Sequence, residues 1–455
     1  MKKITIFFLL FTKILYAQQT LSITDFLNTV KKNHPVAKQA ELLKADATAQ
    51  RLAARGGFDP KLMGDWQAKE FEEKRYFQTN EYGVKIPTWF GIEAKGIYKT
   101  AKGDFLNPEE KLPKVGQAVL GISAPLLQGL LIDERRAALF RARIVEKSNE
   151  NERQIIFNNL LLDAAKAYFE WFFAVKQFKI QEKAVLLAEK RLSDLKTSFR
   201  LGDKPAVDTL EAFIQVQERV FDLNEAKLLL QNERLQLSNF LWTEKQRPYV
   251  LPLETQIPTT NAAETLPFSQ NEVNNLALNH PELVQYNYKT QQLEIEKRLK
   301  QDKLKPKLNV EYNILGNGRN FYTDALLQNY KYGVNFSFPI LLRQERGNIQ
   351  MAQIKLDNVA LQRENKQLEL QNKINSYFNE LNTNQQQLSV FSKVFKSYEA
   401  LLDAENQKFS IGESSVFLVN ARERKLIETE IKLLKIEINQ QKLFYALKWA
   451  AGKME

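Results

Sequence analysis

The side chains able to do chemistry are few, and their placement argues against chemistry. The chain has two histidines, His34 and His280, and no cysteine. Each histidine sits in the same tripeptide, Asn33-His34-Pro35 and Asn279-His280-Pro281, with no cluster of acidic or imidazole partners beside it. A metal site would need the two tripeptides to meet by tertiary accident, so neither a metal nor another cofactor is expected. The absence of cysteine removes disulfides, thiolate ligands and the anchor of a lipoprotein. No Ser-His-Asp set, glycine-rich phosphate loop or zinc spacing occurs, and the chain is not read as an enzyme. The run Asp133-Glu134-Arg135-Arg136 places acids where a helix macrodipole favours them, at the start of a long helix.

The first residues address the chain to a compartment. Lys2 and Lys3 precede an apolar run from Ile4 to Leu15, broken once by Lys13, and Ala17 offers a small residue before Gln18. Residues 1–17 read as a secretory signal peptide. No later stretch approaches 18 consecutive apolar residues, so a membrane-embedded mature chain would have to enter as a β-barrel. The net charge is +11, but Lys and Arg interleave with Glu along residues 133–153 and 422–437, which suits solvated helix faces better than a nucleic-acid surface. A basic coiled-coil nucleic-acid binder also conflicts with the signal peptide, and no nucleic-acid partner is expected. With only 17 Gly and 14 Pro, long uninterrupted helices are favoured.

The sequence reads as two tandem copies. Asn33-His34-Pro35 recurs 246 residues later, and Pro60-Lys61-Leu62 recurs as Pro306-Lys307-Leu308 at the same offset. Ser123-Ala124-Pro125-Leu126-Leu127 answers Ser337-Phe338-Pro339-Ile340-Leu341, Tyr168-Phe169 answers Tyr377-Phe378, and Phe199-Arg200-Leu201-Gly202 answers Phe409-Ser410-Ile411-Gly412. The offset falls to about 210 along the way, which locates an insertion in the first copy within about 70–115. The expected organisation is residues 18–250 as the first repeat, 251–267 as a proline-rich linker and 268–455 as the second repeat.

Each copy should run helix, strands, long helical hairpin. Helices are expected from the Asn-His-Pro motifs, with Asn as cap and Pro in the first turn, over about 33–56 and 280–304. Strands follow over about 59–124 and 307–338. Leu308, Val310, Tyr312 and Ile314 alternate with polar residues, as do Tyr332, Val334, Phe336 and Phe338, and Ala118, Leu120, Ile122 and Ala124 repeat the pattern. Nine or ten residues is also the length of a tilted bilayer-crossing strand. Whether the aromatic insert from Tyr82 to Tyr98 adds strands or lengthens an external loop is left open. Trp66, Trp89, Phe90, Tyr98, Phe321, Tyr322, Tyr330 and Tyr332 suit either an interfacial belt or plain strand packing. Helical hairpins are expected over 131–246 and 344–452, with a seam spaced three and four from Ile349 to Leu402. A helix over 131–199 would be about 100 Å long, matched by its shorter partner and the opening helix placed end to end. Four to six strands cannot close a barrel in lipid alone, so neighbouring copies would have to complete it.

This ordered set of motifs resembles the outer membrane efflux protein family, the TolC-like outer membrane factors, over essentially the whole mature chain. The resemblance implies a mainly α fold with a transmembrane β portion: a homotrimer with a shared twelve-stranded β-barrel in the cell outer membrane and a long α-helical barrel in the periplasm. It further implies a passive duct for efflux or type I secretion, with a periplasmic adaptor protein and an inner-membrane transporter as partners. The hairpin tips Phe199, Arg200, Leu201, Gly202, Asp203 and Phe409, Ser410, Ile411, Gly412, Glu413 would then form the pore end and meet the adaptor. Better-known members carry acids six and nine positions after the second tip glycine; Leu418 and Ala421 stand there, so that ring does not carry over. Asp208 and Glu211 have the same spacing in the first copy, on one helix face, and either ring the pore for cations or lie on solvated surface. A periplasmic coiled-coil adaptor or scaffold is the competing reading; it explains the helices but not the alternating segments. Neither exported substrate nor pump class is legible in these residues.

Overall fold

The computed structural model describes residues 20–252, 255–258, 269–321 and 328–454. The signal-peptide assignment, Tyr322 and most of the 251–267 linker lie outside these. Two helices, α1 (Ile23–Asn33) and α2 (Pro35–Gly56), lead into strands β1 (Lys61–Phe71), β2 (Lys74–Pro87), β3 (Glu93–Lys102) and β4 (Gln117–Pro125), followed by α3 (Glu134–Arg200) and α4 (Ala206–Ser238). The second half runs α5 (Gln270–Ala277), α6 (Pro281–Asp302), β5 (Lys307–Leu315), β6 (Tyr330–Ser337), α7 (Arg343–Ser410) and α8 (Val416–Ala450).

The Asn-His-Pro motifs do not cap helices as expected. Asn33 is the last residue of α1, and His34 separates it from α2 with an extended backbone (ψ 137°). The His34 ring takes the capping role: Nδ1 accepts the Val36 amide at 3.2 Å, while Pro35 opens α2 without losing a hydrogen bond. A short helix, α1 or α5, precedes each motif. Both begin at serines that cap them: Ser22 accepts from the Asp25 amide, and Ser269 forms a capping box with Glu272. Helix α4 stops at Ser238, short of 246. The Ser238 hydroxyl takes the Leu251 amide at 3.2 Å, and residues 242–248 turn back through a Trp242–Pro248 bridge.

The chain divides into two compact units. One, spanning Ala40–Ile155 and Pro281–Glu369, holds all six strands. They form one antiparallel sheet in sequence order, β1 to β6. The insert adds strands: β2 and β3 stand between the two strands expected of the first copy. The tight β1–β2 turn takes positive φ at Glu72 and Glu73.

The other unit is helical, from residues up to Gln39, Ile156–His280 and Leu370 onward. Its core gathers Phe26, Phe157, Tyr168, Phe169 and Trp171, all at most 2% exposed. Phe26 stacks on Tyr168 at 5.7 Å, and the Tyr168 hydroxyl donates to the Leu21 carbonyl at 2.8 Å. Helices α3 and α7 have 67 and 68 residues, against 33 and 35 for α4 and α8. The α7 seam is buried at Ala352, Val359, Leu370, Ile374 and Leu381, where it packs inside the chain. At Leu388, Phe391, Phe395 and Leu402 it is only half-buried. Leu388, Phe395 and Leu402 line a groove of about 900 Å³ together with Ile180 and Leu187 of α3 and Ile427 and Leu434 of α8. No helix among the described residues is long and apolar enough to cross a membrane.

Candidate functional site

The sheet is two-faced, and its strand register makes it so. Residues paired across strands share a face. Leu62, Val84, Gly96, Leu120, Ile314 and Tyr330 form one continuous row, and Ile86, Ala94, Ile122, Tyr312 and Tyr332 form the next. Val310 beside Val334 and Leu308 beside Phe336 continue the same face on β5 and β6. Much of this face is uncovered among the described residues: Leu62, Ile122, Val334 and Phe336 are between 54% and 86% exposed, while Val310, Tyr312 and Ile314 are half-buried. Aromatic rings stack along the face, Tyr82 on Tyr98 at 5.5 Å and Tyr312 on Tyr330 at 5.7 Å. Beyond Trp66 the face turns polar: the next row holds Asn80 and Thr100, hydrogen-bonded at 3.1 Å. Of the aromatic residues marked in the sequence, Trp66, Tyr98, Tyr330 and Tyr332 lie on this face, while exposed Trp89 and Phe90 occupy the β2–β3 turn.

The opposite face carries ion pairs beside a short buried apolar row, Ile97 and Val119. Lys99 bridges Glu81 at 2.5 Å, and Lys85 and Arg135 both bind Glu93, at 2.6 and 2.7 Å. Lys95 of β3 reaches across β4 to Glu311 of β5. It can do so because the intervening residue is Gly121; a Cβ there would collide with the Lys95 chain and the Asn313 amide oxygen. Asp133 caps α3 by accepting the Arg136 amide at 2.8 Å, and the Arg136 guanidinium donates to the Leu130 carbonyl at 2.8 Å. The Asp133–Arg136 run is thus structural. Sequence reading missed this charge ladder. Its signal was present in phase: Lys85, Glu93, Lys95, Lys99 and Glu311 fall on the alternate positions to the apolar residues.

The helical unit ends in two tips of matching geometry. Leu201–Pro205 joins α3 to α4, and Ile411–Ser415 joins α7 to α8. Gly202 (φ 86°) and Gly412 (φ 83°) take the left-handed turn, and each has nothing within 4 Å of an added Cβ. The glycines therefore serve backbone conformation and not close approach. The Asp203 amide returns to the Ser198 carbonyl and the Glu413 amide to the Lys408 carbonyl, both at 2.9 Å. The tips lie side by side: Leu195 and Ala212 of the first hairpin form a buried cluster with Val416 of the second, and Phe409 packs against it. The Lys204 ammonium stands over the Phe409 ring, 4.7 Å from its centroid. Farther from the tips, Arg191 of α3 binds Glu423 at 2.5 Å and Asn420 at 2.9 Å, both buried residues of α8.

Around this clasp the surface is apolar and bare. Leu201 (73% exposed), Ile411 (70%), Val207, Leu210, Ile214 and Phe417 are all outward-facing. The structure brings Phe199–Asp203 and Phe409–Glu413 together as one end. Asp208 and Glu211 stand half-exposed on the first turns of α4, and no ion pair to either occurs among the described residues. Leu418 is exposed, and Ala421 is half-buried.

Neither histidine is placed for catalysis or metal binding. His34 is stacked on Phe240 at 5.9 Å, and its pKa is held below the ordinary value chiefly by burial. His280 is 2% exposed, with Nε2 donating to the Trp449 carbonyl at 3.2 Å. No group of metal-ligating side chains occurs among the described residues.

The fold is that of solved outer-membrane channels. The chain is similar to the CmeC channel of Campylobacter jejuni (15% identity, TM-score 0.69, covering 94% of this chain and 85% of that one). It is similar to VceC of Vibrio cholerae (13%, 0.64, 95% and 97%) and to the open state of MtrE of Neisseria gonorrhoeae (14%, 0.67, 95% and 89%). No curated protein sequence matches. Residues 273–453 match the outer membrane efflux protein family, so the chain resembles the TolC-like outer membrane factors both in sequence and in fold. The proteins matched are channels, not enzymes. Their setting agrees with the localisation expected from the sequence, the cell outer membrane with a periplasmic extension.

Proposed function

We propose that the chain is one protomer of a homotrimeric outer-membrane duct that passively exports substrates delivered by an inner-membrane transporter and a periplasmic adaptor. The observation that carries this reading is the two-faced sheet. A ribbon apolar on one side and ion-paired on the other fits a wall between lipid and a water-filled lumen. Its edge strands, β1 and β6, each have one partner, and an open edge cannot stand in hydrocarbon, so a second and third copy must complete the wall. The groove lined by half-buried Leu388, Phe395 and Leu402 supports the same sharing among the helices.

The tips Phe199–Asp203 and Phe409–Glu413 are the adaptor-facing pore end in this reading, and their exposed apolar residues are what a protein partner would cover. Asp208 and Glu211, repeated by symmetry, would give that end a cation-favouring ring. The duplicated motifs and the shared helix–strand–hairpin order support two tandem repeats.

The test is a deletion strain complemented by plasmid-borne variants and challenged with a panel of toxic compounds. Wild type should fractionate with the outer membrane as a trimer and restore resistance. The pair Leu201→Asp and Ile411→Asp should keep the trimer and lose resistance, since central contacts of an interface cost about 2 kcal/mol or more when lost. A soluble monomer in the periplasm would sink the duct.

A further inference from the structure

We infer that the barrel of this protein has eighteen strands, six from each copy, closed by pairing β1 of one copy with β6 of the next. This rests on the trimeric duct reading and departs from the twelve-stranded wall that the family resemblance implies.

The inserted hairpin is part of the wall and not an appendage. Strand β2 pairs with β1 over eleven residue pairs and with β3 over ten, and β3 pairs with β4 over seven, so β1 is separated from β4 by their full width. Their residues continue the lipid-side rows without a break, Val84 and Gly96 between Leu62 and Leu120. Their other face continues the ion-paired lining, through Glu81–Lys99 and Lys85–Glu93. The foot of the hairpin is tied to the base of α3, where Arg135 binds Glu93 and a Cβ on Gly91 would lie 3.1 Å from the Arg136 guanidinium. A loop lying outside the membrane would have no use for one uncovered apolar face in register with its neighbours.

The edges fit a second copy of the same chain. Six strands alternate in direction, so β1 and β6 run opposite ways, and joining them continues the antiparallel order around the ring. Leu62 and Trp66 on β1 would then extend the face carrying Val334 and Phe336 on β6. Barrel diameter grows with strand number. At about 4.8 Å between strands and about 40° tilt, twelve strands give a backbone diameter of about 24 Å and eighteen about 36 Å. Such a mouth is too wide to sort small molecules, which leaves selection to the hairpin end.

Cryo-electron microscopy of the full-length protein in lipid nanodiscs counts the strands directly; eighteen are expected. The absence of cysteine makes labelling clean. A spin label at Val84→Cys should be open to oxygen and shielded from an aqueous nickel reagent, and one at Lys85→Cys should show the reverse. Asp65→Cys on β1, combined in turn with Lys331→Cys, Gly333→Cys or Asn335→Cys on β6, should yield oxidant-dependent dimers and trimers for at least one pair. A trimer with twelve strands and a water-exposed Val84 label overturns the eighteen-stranded wall and leaves the duct standing. A monomeric protein overturns both.

Discussion

The sheet and the hairpin ends both expose large apolar side chains, but they do so differently. In the sheet, one face is apolar and smooth through five strand pairings, and the far face carries a ladder of ion pairs, Lys99–Glu81, Lys85–Glu93 and Lys95–Glu311. At the hairpin ends, exposed Leu201, Ile411, Val207 and Phe417 sit beside half-exposed Asp208 and Glu211, near an ion pair between half-buried Arg191 and buried Glu423. A uniform apolar face matches a solvent, and lipid is one. A mixed patch, apolar with charges set into it, matches a surface with its own side chains.

A charge placed on the sheet breaks this comparison most severely. Ile122→Arg puts a cation at mid-sheet on the apolar face, between Ala94 and Tyr312. In lipid this costs about 2–4 kcal/mol. Ser123→Arg, one residue along and facing Glu93 and Glu311 across the neighbouring strands, should change stability by under about 0.5 kcal/mol. Urea titration of reconstituted trimers reads the difference. Equal effects at the two positions would mean that the faces are not lipid and lumen.

The next effect probes the clasp. Arg191→Met strands the Glu423 carboxylate, 4% exposed, and removes a partner of Asn420, 1% exposed. Leaving such groups unmatched costs about 2 kcal/mol, short of the fully buried case because the Arg191 side chain keeps 19% exposure. Faster proteolysis at the hairpin ends should report it, and Arg191→Met with Glu423→Leu should recover most of the loss. Smaller again, Gly202→Ala and Gly412→Ala each force a side chain into positive φ at about 1 kcal/mol, with no steric clash to add. Export that survives both alanines but not Leu201→Asp would separate turn geometry from partner contact.

Much of this was legible from residue order. Period-two runs located β4, β5 and β6, and Pro125 marked where β4 stops, because alternation and a missing amide are local properties. The tips were visible in Gly202 and Gly412 for the same reason. The β2–β3 hairpin was visible as alternation at Tyr82, Val84 and Ile86, but only the register shows it to lie inside the sheet. The Lys95–Glu311 pair joins residues far apart in sequence across a glycine, and the Arg191–Glu423 pair joins the two halves of the chain. Long-range partners of this kind leave no spacing to read. His34 misled because Asn33 looks like a cap, and the imidazole beside it does the capping.

The smallest predicted effect belongs to the helical unit, away from the tips. Glu430 lines the groove between α3, α7 and α8. Its pKa is raised above 4.5, first by burial, with Glu399 adding repulsion and Lys183 opposing. A carboxylate whose pKa is higher in the folded protein holds its proton there after the unfolded chain has released it. Stability from this site is therefore fully present below pH 4.5 and declines as pH rises through the folded value. The site alone makes the duct less stable at neutral pH than in mild acid, against the trend set by paired carboxylates such as Glu150, lowered by Arg153. Glu430→Gln should stabilise the trimer at pH 7 and leave it unchanged near pH 4, flattening the difference between two urea midpoints. If a neighbouring copy fills the groove, burial deepens and the slope steepens on assembly. An unchanged pH profile in the variant would mean that water reaches Glu430 freely and that no helix of another subunit covers the groove.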